Sequence, residues 1–264
     1  MKNYTLVKDY SAVENRTPDA GNSDGSFSTT DAPWNDEAGH LNLITNVVIE
    51  EGITSVGDRA FTHALNLQNV SLPEGLESVG CHAFYLTDLT SVDLPSTVVR
   101  IGNMNGDGGG SFQYTNMTQI NLPEGLKTIS SSTFRSTPLE SIVIPDSVET
   151  IGKQAFSYNQ NLKSVVIGDG VTTINAKAFD GTSAYVYCQE SGHGGKSCAN
   201  LVAGTGLASD KLKIYTIENG KIKVGSKTYN SLDELPQYTL RRIYTLKEAE
   251  AAAGKVNTVK IRYR

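Results

Sequence analysis

The stretch "IPDSVETIGKQAF" at residues 144–156 has a near copy in "LPEGLESVGCHAF" at residues 72–84, and the phrase returns elsewhere in the chain. Set in register, the copies are "VVIEEGITSVGDRAF", "VSLPEGLESVGCHAF", "VDLPSTVVRIG…SF", "INLPEGLKTISSSTF", "IVIPDSVETIGKQAF" and "VVIGDGVTTINAKAF". Their phenylalanines are Phe61, Phe84, Phe112, Phe134, Phe156 and Phe179, with spacings of 23, 28, 22, 22 and 23 and a five-residue insertion in the third unit. No unit of this size can bury its own apolar residues. Stacking unit on unit does so, which restricts the chain to a solenoid.

Each unit supplies apolar residues at period two, such as Val70 and Leu72, and this predicts a short strand with alternate side chains inward. A turn follows. Proline is expected at its second position and glycine at its fourth, as in Pro73–Glu74–Gly75, and Pro95, Pro123 and Pro145 recur at the same point. Beyond it Leu76, Val79, Ala83, Phe84 and Leu89 return to the interior. A period in the low twenties is that of a leucine-rich solenoid, so the expected fold class is α/β: a parallel sheet on one face, irregular or short helical turns on the other. The end units replace proline with Glu50 and Gly168, as terminal repeats do.

Residues 41–182 resemble the BspA-like leucine-rich repeats, whose units run "L..V.IP..V..IG..AF". The preceding "APWNDEAGHLNLITN" resembles the entry segment of such arrays, with Pro33 and Trp34 seated on the first coil. The resemblance implies a bacterial or protist protein, secreted or displayed on the cell surface, that works as a non-enzymatic adhesin-like binding module. The partner it implies is a protein, such as a host extracellular protein, with a glycan as the alternative.

The domain organisation expected is a cap segment at 1–46, six units at 47–187, a Gly-rich linker at 188–208 and a small α+β module at 209–264. In the module, "LKIYTIENGKIKV" is two alternating runs joined by Asn219–Gly220, a strong hairpin signal. "RRIYT" reads as a strand, Thr245 and Glu248 as a capping box, "LKEAEAAA" as a helix ended by Gly254, and "TVKIRYR" as a last strand. Residues 209–264 carry twelve Lys/Arg against six Asp/Glu, and residues 1–208 carry eleven against twenty-two. An acidic body disfavours nucleic acid as a partner. No apolar run is long enough to cross a membrane, and the opening "MKNYTLVKDYSAV" has no apolar signal stretch, which suits an intracellular protein or a trimmed mature form.

Several short patterns resemble chemistry and lack its context. "GNSDG" at 21–25 has the spacing of a nucleophile elbow around Ser23, but the flanking residues are polar where a buried strand and a helix are required. "GGKS" at 194–197 would put Glu190 where a phosphate loop needs glycine. "NMNGDG" at 103–108 spaces Asn103, Asn105 and Asp107 as in a calcium loop, yet Tyr114 stands where the bidentate glutamate belongs, so the default is a glycine-rich bulge. Cys188 and Cys198 flank His193, which leaves a disulfide and a three-ligand metal site open, with no obvious fourth ligand; export would favour the disulfide. Cys81 is left over, in a position other units fill with Asp58, Ser131, Lys153 or Ala176. Glu51, Glu74, Glu124, Asp146 and Asp169 form an acidic strip broken at Ser96, read as solvated turn residues. No catalytic residue, cofactor or metal is expected.

What remains is surface. Val48, Ser71, Asp93, Asn121, Val143 and Val166 are expected to face outward on the sheet, beside a column of Asn46, Asn69, Ser91, Gln119, Ser141 and Ser164. Neither column holds an aromatic residue, which weakens a glycan reading, because sugars stack on aromatic platforms. Tyr85, Tyr114 and Tyr158 on the outer side are the other contact candidates.

Overall fold

The computed structural model describes residues 5–6, 40–102, 109–230, 234 and 258–261. The 1–39 portion of the cap segment, with Ser23, Pro33 and Trp34, lies almost wholly outside the described residues. So do the 103–108 loop, the "RRIYT" strand, and the helix with its caps.

Each unit of the repeat builds one coil with a strand or bridge on one side and a strand on the other. The alternating run becomes a strand: β2 (Asn46–Ile49), β4 (Asn69–Ser71), β8 (Ser141–Val143) and β10 (Ser164–Ile167), with units three and four joined only by a parallel bridge between Asp93 and Asn121. Val70 and Leu72 point inward as their alternation requires. The turn after them differs from expectation. Leu76 N donates to Pro73 O, so proline is first rather than second, and Gly75 is third at φ 96°. Proline sits where the strand ends because it offers no N–H to continue the ladder.

The far side of the coil also differs. It carries a second strip of two-residue strands: β3 (Ser55–Val56), β5 (Ser78–Val79), β6 (Arg100–Ile101), β7 (Thr128–Ile129), β9 (Thr150–Ile151) and β11 (Thr173–Ile174). All are parallel and in register, as Val79↔Ile101 and Ile129↔Ile151 show. The fold is a β-solenoid with parallel sheets, and helix is scarce among the described residues.

Between the strips the six phenylalanines form one column, each 0% exposed, with successive ring centres 5.5–5.8 Å apart and planes within 14° of parallel. The chain reverses around each ring through left-handed residues two before and two after it. Arg59 and His63 flank Phe61, and Gln154 and Tyr158 flank Phe156, all with φ of 56–63°. Such conformations strain residues with a Cβ. They are held by bonds between coils, such as His63 N to Tyr85 O at 2.9 Å and Tyr158 N to Asp180 O at 2.8 Å. Three residues past the ring, Thr87, Thr115, Thr137 and Thr182 donate their hydroxyls to the phenylalanine carbonyl, so the buried polar atoms are satisfied locally.

The expected boundary at 187/188 falls inside a strand, β12 (Tyr185–Gln189), and the stretch expected as a linker is a seventh coil. Cys188, Cys198 and Leu201 are buried in the main core, and Thr205 O accepts from Phe179 N as the residue before each phenylalanine does in earlier coils. Glycine density was the misleading signal. Gly206 is left-handed at φ 84°, and a Cβ there would lie 2.8 Å from Asp180 Cα. Gly206, and Gly192 with a Cβ position 3.0 Å from Asp169 O, serve close approach between coils.

The described strands of residues 209–264 pair with strands of the coils. β13 (Leu212–Glu218) adds in parallel to β12 and continues antiparallel through Asn219–Gly220 into β14 (Lys221–Val224) and β15 (Lys227–Tyr229). The hairpin is as expected, with Asn219 and Gly220 at φ 52° and 72°. The last strand, β16 (Thr258–Ile261), pairs in parallel with β2 at the opposite end and with β1 (Thr5–Leu6). The physical reason is common to both ends: an edge strand leaves unpaired backbone groups, and the tail supplies partners for them.

Candidate functional site

The outer corners collect the exposed aromatic side chains. Because Tyr85 follows Phe84 directly while His63, Tyr114 and Tyr158 occupy left-handed positions, consecutive coils stack these rings along one edge. Tyr85 meets His63 at 5.5 Å, His82 at 5.2 Å and Tyr114 at 5.6 Å, all edge to face. The Arg135 guanidinium lies 5.2 Å from the Tyr158 ring centre. Tyr114 and Tyr158 are 39% and 45% exposed. Burial, then the neighbouring Tyr114, raises the Tyr85 phenol above its ordinary range. The structure thus brings Tyr85 and Tyr114 into contact and extends the stripe through Arg135 to Tyr158. Arg135 was not expected, since it occupies one coil only and no period marks it.

The sheet face is graded. Val48 pairs with Ser71, Asp93 with Asn121, and Val143 with Val166, so the expected column exists. At its start the face is polar: Asn69 donates to Asn46 Oδ1 at 2.9 Å, and Asn121 is exposed. At its end it turns aromatic, and Val166 is buried instead of presented, because Tyr187 lies beside it in register. Val166, Tyr187, Tyr215 and Ile222 form a separate apolar cluster, with Val143, Tyr185, Val224 and Tyr229 against it. Lys211 and Lys213 place their ammonium groups 4.4 and 4.9 Å from the Tyr185 ring centre, within cation–π range. Burial and the nearby Tyr229 raise the Tyr187 phenol, and burial with Asp169 and Asp146 pushes Tyr215 up to about 12. The alternation in "AYVYCQ" was the available signal for this continuation, hidden by ending the repeat at Phe179.

The arrangement offers no catalytic constellation among the described residues. Cys81 Sγ lies 3.0 Å from His82 Nδ1, the spacing of a nucleophile and its base, but both groups are tuned against that role. Burial, then Asp58, pushes the thiol up to about 11, and burial, then Arg59, holds the imidazole below its usual range. "GGKS" forms the turn into a short helix, α1 (Cys198–Leu201), with the Ser197 hydroxyl accepting from Asn200 N and Lys196 Nζ donating to Thr172 O. The acidic strip runs along exposed turns. Asp146 Oδ1 accepts from Asp169 N at 2.9 Å, and burial together with Asp146 raises the Asp169 carboxyl. Cys188 and Cys198 are joined in a disulfide.

No curated protein matches the chain. Among solved structures, a leucine rich cell surface protein from Faecalibacterium prausnitzii A2-165 is 20% identical over 68% of this chain and 62% of its own length, with a TM-score of 0.31. The pneumococcal vaccine antigen PcpA is 18% identical over 52% of this chain and 36% of its own, with a TM-score of 0.37. A leucine-rich repeat protein from Bacteroides ovatus ATCC 8483 is 19% identical over 64% and 55%, with a TM-score of 0.30. The chain therefore spans 62% or less of each of these proteins. Six copies of the BspA type leucine rich repeat region match residues 39–105 and 108–188, more than half the sequence, and the chain belongs to that family.

Proposed function

We propose that the chain is a non-enzymatic interaction module of the secreted or cell-surface space that binds a protein partner through the outer edge of its solenoid. The observation that carries this reading is the surface stripe of half-buried Tyr85 and Arg135 with exposed Tyr114 and Tyr158. Tyrosine and arginine are the residue types that dominate binding hot spots, tyrosine because it buries a large area with two rotatable bonds and arginine because its planar guanidinium hydrogen-bonds and stacks at once. Here each is set on a backbone pinned to the neighbouring coil, as by Tyr114 N to Arg135 O at 3.1 Å, so little order is lost on binding. The disulfide fits an oxidising compartment. Among the described residues no helix is long and apolar enough to cross a membrane.

The test is capture of extracellular proteins by the full chain and by a Tyr85→Ser, Tyr114→Ser, Tyr158→Ser variant. A partner held by the first and lost by at least roughly tenfold in the second is the expected result; a partner held equally by both sinks the assignment of the stripe. A second reading, a carbohydrate-binding module, draws on the exposure of Tyr114 and Tyr158, aromatic side chains on which a sugar can stack. A glycan array with the same pair of proteins separates the two, since glycan capture that depends on these tyrosines would favour the second.

A further inference from the structure

The seventh coil folds two thiols and an imidazole onto one point. Cys188, His193 and Cys198 are each 0% exposed, and their ligand atoms lie within 4.8 Å of one another. His193 Nδ1 is 3.0 Å from Val171 O, while Nε2 is 3.3 Å from Cys188 Sγ and 3.1 Å from Gln189 O. A neutral imidazole has one N–H. Whichever ring nitrogen carries it, the other is fully buried and presents its lone pair to a carbonyl oxygen that offers no hydrogen. A positive charge between such acceptors, a proton or a metal ion, satisfies both.

We propose that reduction of the Cys188–Cys198 disulfide converts this point into a zinc site, with Cys188 Sγ, Cys198 Sγ and His193 Nε2 as ligands and the Gln189 carbonyl oxygen in the fourth position. Zinc bonds of about 2.0–2.3 Å at the tetrahedral angle separate donor atoms by about 3.3–3.8 Å. Gln189 O already lies 3.1 Å from His193 Nε2, 3.0 Å from Cys198 Sγ and 3.7 Å from Cys188 Sγ. The sulfurs part on reduction, and the other donor separations change by a few tenths of an ångström to about 1 Å, all of them already within 4.8 Å among the three side chains. The Val171 carbonyl fixes the ring and its tautomer, the office that outer hydrogen bonds perform for zinc-bound histidines. Two thiolates and an imidazole select zinc over calcium or magnesium. Residues 190–192 and 194–197 are exposed, giving entry from solvent.

The step balances. A dithiol reductant breaks the S–S bond and becomes a disulfide itself, giving two electrons and two protons to Cys188 and Cys198. Zn²⁺ then displaces both thiol protons to solvent and leaves a neutral complex. The staple of the last coil thereby passes from a covalent bond to a metal when the surroundings become reducing.

The test uses the full chain, reduced anaerobically with a dithiol, freed of it, and titrated with Co²⁺ and then Zn²⁺. One Co²⁺ per chain with thiolate-to-cobalt charge-transfer bands, displaced by Zn²⁺ and absent from the oxidised chain, is expected. Cys188→Ser should abolish the bands, Cys81→Ser should leave them, and His193→Gln should weaken binding at least as much as the roughly 10–100-fold lost with an outer-sphere partner. His193→Gln keeps the disulfide, so its fold is verified by circular dichroism before reduction. A reduced chain that takes up no cobalt, folded or not, overturns the proposal, as does binding indifferent to His193→Gln or dependent on Cys81.

Discussion

Phe134→Ala is the sharpest test of the column. Phe134 is fully buried, with its ring centre 5.8 Å from that of Phe112 and 5.6 Å from that of Phe156. Replacing a buried phenylalanine with alanine costs about 3–5 kcal/mol, depending on how far the cavity collapses. Collapse is resisted here, because Phe112 N donates to Thr133 O at 3.0 Å and Phe134 N to Ala155 O at 2.9 Å, fixing the coil spacing beside the ring. The expected loss is therefore in the upper half of that range, about 4–5 kcal/mol. Phe134→Leu restores most of the volume and should cost under about 1.5 kcal/mol. Urea melts followed by circular dichroism read both. A loss under about 1 kcal/mol for Phe134→Ala, or an equal loss for Phe134→Leu, would refute the reasoning.

Changing both Cys188 and Cys198 to alanine should lower stability by about 3 kcal/mol in urea melts, the chain-entropy value for a loop of this length; an unchanged midpoint would show that the coil is held without the bridge. Cys81, its thiol pushed up to about 11, should react with a disulfide reagent at pH 8 far more slowly in the folded chain than in urea, and equal rates would contradict the burial described. A chain ended at residue 209 loses the parallel partner of β12 and exposes Tyr187 on its outer face. Light scattering and melts should show aggregation or lost cooperativity, whereas a monomer melting like the full chain would show that the seventh coil caps itself.

The parts legible in the sequence are those that repeat. Six phenylalanines and the alternating pairs beside them mark inward positions in every unit, so the column and the first sheet follow from spacing alone. The second strip was harder to see. Its strands are two residues long, as in Ser78–Val79, and too short for any periodicity to register. The Thr87, Thr115, Thr137 and Thr182 ladder escaped notice for another reason, since a threonine reads as surface unless its hydroxyl is known to reach a carbonyl of its own turn.

The misreadings cluster where the repeat loses its signature residue. Without a seventh phenylalanine, "GTSAYVYCQESGHGGKSCANLVAGTGLASDK" reads as linker, although its glycines serve left-handed corners and Leu201 lies in the core. The cost of that boundary fell on the site. Tyr185 and Tyr187 stand in register with Ser164 and Val166, so a face judged free of aromatic residues ends in them, and Lys213 carries basic charge from the tail onto the same sheet. The basic residues Lys211 and Lys213 of the tail thus stand beside Tyr185 in the sheet that runs from β8 to β15. A partner laid on this sheet would meet tyrosine rings with lysine ammonium groups against them.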